Sequence, residues 1–410
     1  MTDLNKLIEA NRKSGEIGQE DLATQITSPD PSEEMPCARP GAARRTVVCF
    51  ALSLVLAGEV VSQARHEIPS ELLCPACSIE ASHVVTLYDP DGSTSPQLIA
   101  SVAVDSEDRY YVTPLFSRGE VAVYDATGRL AKVVGRSGDG PGEFRLPVLV
   151  GVDGFDSVHV FEPTRRSIFT PGAESFSRLT NHHEVVVQQA LTLRNGDDIV
   201  QNVRALNLAE PLHLIESTSG TVVRSFGAAE PEPIETRTPL GFYRQIAEGS
   251  AGVWVARTNR YYVERWTRTG ELALVLSRAV NWFKPWDGVW SHPYRFRPEP
   301  RLRAIWEDEQ GRVWIVVQVA AIDWKAADVG ARREYALHPD SLAAMGQTFV
   351  GPYDTIVEVL DPVAGRVIVS QRFPENFQGS VGRGRVREAK LAPDGDIQIV
   401  IWELSLKGAP

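Results

Sequence analysis

The feature that most restricts what this chain can fold into is a hairpin motif that returns six times. Each copy is a short apolar strand, an acidic or Gly turn, and a second strand rich in Val, Ile and aromatics. The copies are IASVAVDSEDRYYVTP from Ile99, VLVGVDGFDSVHVFEP from Val148, ALTLRNGDDIVQNV from Ala190, QIAEGSAGVWVARTN from Gln245, LRAIWEDEQGRVWIVV from Leu302 and AKLAPDGDIQIVIW from Ala389. One such unit cannot bury its apolar face alone, so the repetition calls for units stacked on one another. A second kind of hairpin lies between them, clearest in EVAVYDATGRLAKVVG from Glu120 and repeated from Ser167, Pro211, Tyr261 and Thr355. The last unit lacks its outer strands, while SHVVTLYD, Ser82 to Asp89, is a spare strand near the N-terminus. That imbalance predicts a closed ring, because a terminal blade completed from the other end of the chain leaves no exposed edge. The expected fold is all-β: a six-bladed β-propeller of four-stranded antiparallel blades, its N-terminal strand completing the blade whose inner strands begin near Arg385.

With 43% hydrophobic residues in 410, together with 32 Gly and 27 Pro, the chain has material for a large core and many turns. A formal net charge of −11 argues against nucleic acid or an anionic membrane as the main partner, since either rewards a basic surface. From Met35 the sequence MPCARPGAARRTVVCFALSLVLAGEVVSQA has the form of a secretory signal peptide. It offers a basic region ending at Arg45, an apolar run from Thr46 to Gly58 and a small-x-small site ending at Ala64. The apolar run is shorter than the roughly 20 residues of a spanning helix, so no stable membrane span is expected. The expected organisation is an extension over 1–34 that is mis-called or disordered, a signal peptide over 35–64, an N-terminal segment over 65–81 and the propeller over 82–410. Cleavage near Ala64 implies an extracytoplasmic location, periplasmic or secreted. It leaves Cys74 and Cys77 as the only cysteines, and a small structural disulfide is the reading preferred over a redox or zinc site.

The stretch GRSGDGPGEFRLPVLVGVDGFDSVHVFEP, Gly135 to Pro163, resembles an NHL-type repeat, in which a Gly-rich, Phe-Pro loop leads into a strand, an acidic turn and a second strand. With RAIWEDEQGRVWIVV and YDTIVEVLDPVAGRV, the whole chain after Ala64 resembles exported bacterial six-bladed propellers of that kind. The resemblance implies the fold, and it implies two classes of function, since such propellers include binding scaffolds as well as metal-dependent lactonases and lyases. The glycines are not a phosphate loop: no Lys-Ser/Thr follows, and the chain continues into a strand instead of a helix. Phe144 is expected to anchor adjacent blades.

On a repeat scaffold, function gathers on the face with the long insertions. Two stand out, 279–300 between blades four and five and 319–354 within blade five, the second with a partly helical portion capped at Asp340 or Ser341. The first gathers Trp282, Phe283, Trp286, Trp290, Tyr294 and Phe296, either covering a blade edge or forming a cleft that stacks on a peptide, glycan or other ligand. Trp282, Trp286, Trp290 and Tyr294 are therefore ligand-binding candidates. So are Arg145, Arg244, Arg301 and Arg385, which precede inner strands and would form an anion site if they converged. Catalytic residues stay unassigned. His182 and His183 are adjacent and suit solvated positions, and Asp105, Asp153 and Asp308 recur where a turn carboxylate accepts backbone hydrogen bonds. The inner-strand mouths offer Gln97, Arg145, Gln188, Arg244, Arg301 and Arg385, a poor set of cation ligands, so no metal site is assigned and the cofactor is unknown. The leading expectation is an exported, non-catalytic propeller that binds a protein, peptide, glycan or small molecule on its insertion face. The alternative is a metal-dependent hydrolase or lyase, lactonase-like, with its site over the central channel.

Overall fold

The computed structural model describes residues 64–89, 99–114, 119–181, 187–202, 210–227, 244–286, 297–325, 353–391 and 397–408. They belong to one compact unit, Val60–Pro410. The proposed signal peptide, His182 and His183, Trp290, Tyr294, Phe296 and the partly helical portion of the second insertion lie outside the described residues.

Two strands come first in the chain, β1 (Ala64–Glu67) and β2 (Ser78–Leu87). Blade one is β3 (Ile99–Val104), β4 (Tyr110–Pro114), β5 (Val121–Tyr124) and β6 (Leu130–Val134). Blade two is β7 (Leu149–Val152), β8 (Val158–Glu162), β9 (Arg165–Phe169) and β10 (Phe176–Asn181), and blade three is β11 (Val187–Thr192), β12 (Asp198–Asn202), β13 (Leu212–Ile215) and β14 (Val222–Phe226). Blade four is β15 (Arg244–Gly249), β16 (Gly252–Arg257), β17 (Tyr262–Trp266) and β18 (Leu272–Ser277). Blade five is β19 (Arg301–Glu307), β20 (Val313–Ala320), β21 (Tyr353–Asp361) and β22 (Arg366–Phe373), and blade six is β23 (Phe377–Gly382), β24 (Arg385–Leu391) and β25 (Ile397–Lys407). Each blade is an antiparallel sheet in chain order, and the inner strands β3, β7, β11, β15, β19 and β23 adjoin one another in a closed ring. The fold is a six-bladed β-propeller.

The strand sequences follow from this geometry. Blades stack face to face, so the middle strands are covered on both sides and read as continuous apolar runs, as in VWIVVQVA of β20, buried at every position. An outer strand such as LAKVV of β6 is covered on one face and alternates half-buried with exposed. The apolar residues collect into six clusters, one at each seam between neighbouring blades. Phe144 sits fully buried in the cluster joining blades one and two. Its loop wraps so tightly that Gly119 and Gly135, both at positive φ, leave no room for a Cβ against the Phe144 carbonyl and ring. The Gly-rich loop therefore seats a blade anchor.

Blade six corrects the expected register. Its inner strand is β23, FQGSVG, and Arg385 opens the second strand, so AKLAPDGDIQIVIW spans the second and third strands. The C-terminal chain supplies three strands and β2 supplies the fourth by pairing antiparallel with β25, from Ser78↔Lys407 to Leu87↔Ile399. Phe377 and Val381 are the only large apolar residues of β23, which is why its sequence does not announce a strand, and Gly379 and Gly382 further lower its propensity.

The N-terminal segment does more than close blade six. β1 lies parallel to β18 as a fifth strand on blade four, and Ile68 enters the apolar seam between blades four and five. The chain then bonds to the outer strand of blade five, Leu73 N–H to the Val367 carbonyl at 2.8 Å and Cys74 N–H to the Ile368 carbonyl at 3.1 Å. Cys74 and Cys77 form a disulfide at this crossing. Gln371 then brackets Ile79 with two hydrogen bonds, at 2.7 and 2.9 Å, as β2 begins. Residues 64–87 are thus a strap across the outer edges of three consecutive blades.

Candidate functional site

The inner strands surround a cavity of about 1780 Å³, lined by residues of all six blades. It occupies the later part of each inner strand and opens among the turns that join the first and second strands, where Asp105, Asp153, Glu248, Glu307 and Asp308 form the rim. These turns lie on the face opposite the two insertions.

The rim carboxylates are engaged. Asp105, Asp153 and Asp308 hold their turns in one pattern: one oxygen accepts the backbone N–H groups two and four residues on, and the other meets the polar atom of the aromatic side chain six residues on. For Asp308 the donors are Gln310 N–H (3.0 Å), Arg312 N–H (3.0 Å) and Trp314 Nε1–H (2.8 Å). Asp105 accepts from Glu107 and Arg109 N–H and from Tyr111 O–H at 2.7 Å, while Asp153 accepts from Phe155 and Ser157 N–H and faces His159 Nε2 at 3.1 Å. In blade four Glu248 holds the strand position that Glu307 holds in blade five, and it accepts from Arg194 N–H (3.0 Å) and from the Arg268 guanidinium (2.8 Å). The partner for Trp254 Nε1–H comes instead from Glu307 of blade five at 2.6 Å. Burial pushes the Glu307 carboxyl up, but hydrogen bonds from Ser250 and Trp254 outweigh this and hold it below the usual range.

Deeper in the channel the charge is of one sign. Arg303 on β19 sits at a β-bulge, where the register between β19 and β20 slips between Leu302 and Ala304. A bulge inserts an extra residue and re-aims its side chain. Arg387 lies on the second strand of blade six, one strand away from the channel, yet it lines the cavity because its partner on β23 is Gly379. A Cβ on Gly379 would stand in van der Waals contact with Arg387 Nε, at 3.6 Å, so the Arg387 side chain runs directly beside the bare glycine. Arg303 donates to the Gln378 carbonyl at 3.1 Å across the seam between blades five and six. Burial lowers the Arg303 guanidinium to about 10, with the charge of Arg301 acting the same way. Burial likewise lowers Arg387 to about 10, with the charge of Arg303 acting the same way. Both stay cationic at neutral pH. Trp306, stacked on Trp314 at 5.5 Å and 12°, adds an aromatic surface to the same wall.

The residues singled out from sequence are dispersed. Arg145 has a side chain 74% exposed and pairs with Asp139 on the outside of blade two. Arg244 is buried at the start of β15, and Arg301 stacks over the Trp286 ring at 5.7 Å. Arg385 bonds Asp108 (2.7 Å) and Tyr110 O–H (2.9 Å) next to a turn of the rim face. The expected convergence of four arginines at the strand-entrance mouth is therefore corrected: Arg385 begins a second strand at the opposite end of the channel, and Arg145 faces outward.

The three described rings of the first insertion pack against protein. Phe283 is buried, Trp282 meets Tyr261 and Phe283 edge to face at 6.1 Å, and Trp286 donates from Nε1 to the Pro300 carbonyl at 2.8 Å. They form a wedge between blades four and five. Arg303 and Arg387 lie within strands and not at the mouths before inner strands, so their sequence positions do not mark them. The available signal was Gly379 opposite Arg387 in a hairpin, legible only with blade six in its true register.

No family model matches the chain, and no curated protein matches it. Solved structures do resemble it in fold. A member of the DUF4221 family from Bacteroides vulgatus is 12% identical with a TM-score of 0.55, over 81% of this chain and 99% of that one. A candidate exported protein from Bacteroides fragilis is 9% identical with a TM-score of 0.51, over 84% and 99%. Virginiamycin B lyase from Staphylococcus aureus is 9% identical with a TM-score of 0.43, over 80% and 99%. At these identities the likeness is one of fold.

Proposed function

We propose that the protein acts through its central channel, as the binding site of a small soluble molecule that enters from the rim face. The observation that carries this is the cavity of about 1780 Å³ walled by six blades, a concave space larger than a typical small-molecule pocket of about 300–1,000 Å³ and so roomy enough to hold one. The wall supports binding over metal chemistry. Its rim carboxylates are committed to backbone and side-chain donors, and among the described residues no three His, Cys, Asp or Glu side chains are placed to share an ion. Among the described residues the channel therefore offers no ready ligand set for a resident cation. The second reading, a metal-dependent hydrolase or lyase, shares the location over the channel, and that shared location is what favours it. The insertion face is the weaker binding surface, because Trp282 and Trp286 are occupied in packing.

One experiment separates these readings. The purified protein, with and without prior chelation, is screened by thermal shift against a panel of small metabolites and lactones beside Ser380→Trp, which places a bulky ring on the exposed channel wall. The binding reading expects hits that Ser380→Trp abolishes and chelation leaves intact. Hits indifferent to Ser380→Trp overturn the channel, and a stoichiometric ion whose removal destabilises the protein overturns the metal-free reading. Export is proposed with it, supported by the pattern over 35–64 and by a disulfide suited to an oxidising compartment; a mature chain beginning far from Arg65 would count against it.

A further inference from the structure

The channel of an acidic protein would ordinarily be neutral or negative, yet its deep wall concentrates positive charge at one seam. Arg303 and Arg387 reach it by two separate departures from regular sheet, a bulge on β19 and a glycine on β23. Each departure costs pairing or packing that a regular strand would keep. Arg303 Nε is buried without a hydrogen-bond acceptor, and the bond from its Nη2 across the seam goes to a neutral carbonyl, that of Gln378. Two like charges brought together in a concave site are relieved by an anion, which planar guanidiniums bind through paired N–H···O contacts. Trp306, three residues beyond Arg303, offers a flat apolar surface on the same wall.

We infer that Arg303 and Arg387 form an oxyanion subsite in the central channel, which takes the carboxylate or phosphate group of a small molecule whose ring or apolar body lies toward Trp306. This rests on the channel being the functional site and names the class of ligand it takes. The shared chemistry is an oxyanion; a carboxylate and a phosphate source are separated by the choice of probe.

The test titrates benzoate and inorganic phosphate separately into the purified protein at millimolar concentrations, followed by calorimetry and by tryptophan fluorescence. Wild-type protein is compared with Arg303→Gln, Arg387→Gln, Ser380→Trp and Arg129→Gln, the last removing an equal charge from an exposed turn of blade one. The expected result is saturable binding of at least one probe, weakened about tenfold or more in both channel variants and unchanged in Arg129→Gln. Benzoate favoured over phosphate identifies a carboxylate ligand with a ring, and the reverse identifies a phosphate. Binding lost in Ser380→Trp but unaffected in both arginine variants overturns the subsite and leaves the channel standing. Binding indifferent to Ser380→Trp overturns the channel as well, and no binding of either probe overturns the subsite. If the Gln variants fail to fold, Arg303→Lys and Arg387→Lys keep the charge and remove the fork, and binding at wild-type strength in both counts against the proposal.

Discussion

The seam between blades two and three and the seam between blades four and five solve one packing problem with different materials. At the second, eighteen apolar residues are buried among those described, from Ile68 of the strap to Phe283 of the insertion. Its polar knot, Glu358 with Arg278 and Tyr261 O–H, is embedded in that cluster. At the first, the apolar cluster among the described residues has four buried members, Phe161, Val187, Val200 and Ile215. The space is filled by a polar network instead. Arg166 and Asp198 are fully buried and paired, Arg166 also donates to the Ser217 carbonyl (2.6 Å), Thr192 Oγ1 donates to Asp198 (3.0 Å), and His159 faces Asp153 at 3.1 Å and Asp198 at 3.7 Å. The difference teaches that blade stacking demands a filled interface and not an apolar one. It also predicts how each seam fails, because apolar contacts are lost in increments whereas a buried charge that loses its partner is left uncompensated.

The largest expected effect lies in the polar seam. Asp198→Ala should cost about 3–5 kcal/mol by urea unfolding, since it strands the Arg166 guanidinium, while joint replacement by Arg166→Met and Asp198→Leu should return stability to near or above that of the wild type. A joint variant as unstable as the single one would break the contrast between the seams. Next comes the strap, which braces blades four, five and six and leaves the polar seam alone. Replacing Cys74 and Cys77 with Ser frees a loop of four residues and should cost about 2 kcal/mol or less. Hydrogen exchange should then quicken in β1, β18 and β22 before β8 or β12; the reverse order would deny the strap that role. The smallest effect is a pH slope. Burial lowers His159 below its ordinary 6.5, outweighing the Asp153 hydrogen bond that raises it. The unfolded chain therefore takes up a proton that the folded chain refuses, so this contribution to stability is present above about pH 6.5 and is lost as pH falls through the folded value. His159→Gln should flatten stability between neutral and mildly acidic pH, and an unchanged slope would place the titration elsewhere.

The ring was legible from the sequence because its signal is periodic. Five inner hairpins fall where their apolar runs and acidic turns put them, and the carboxylates of Asp105, Asp153 and Asp308 bind their turns as the residue type demands. Blade six was misframed because PDGD after Leu391 imitates an inner turn while FQGSVG carries too little apolar surface to stand out. The channel arginines were hidden for a related reason. Which side chain reaches a lumen depends on bulges and on small residues in the facing strand, properties of pairing that a single segment does not carry. The aromatic loop is ambiguous for a different reason, since a cluster such as Trp282, Phe283 and Trp286 reads the same whether it meets a ligand or a neighbouring blade.

The strap has a consequence in time. Its β2 is among the first strands to be synthesised, and its partner β25 is among the last. Before β25 is made, blade six has only the β23–β24 pair and β2 has no strand to join, so a product truncated before Ile397 presents unpaired edges that neighbouring molecules or proteases can seize. Mating an early strand with a late one makes a finished blade six a check that both β2 and β25 are in place.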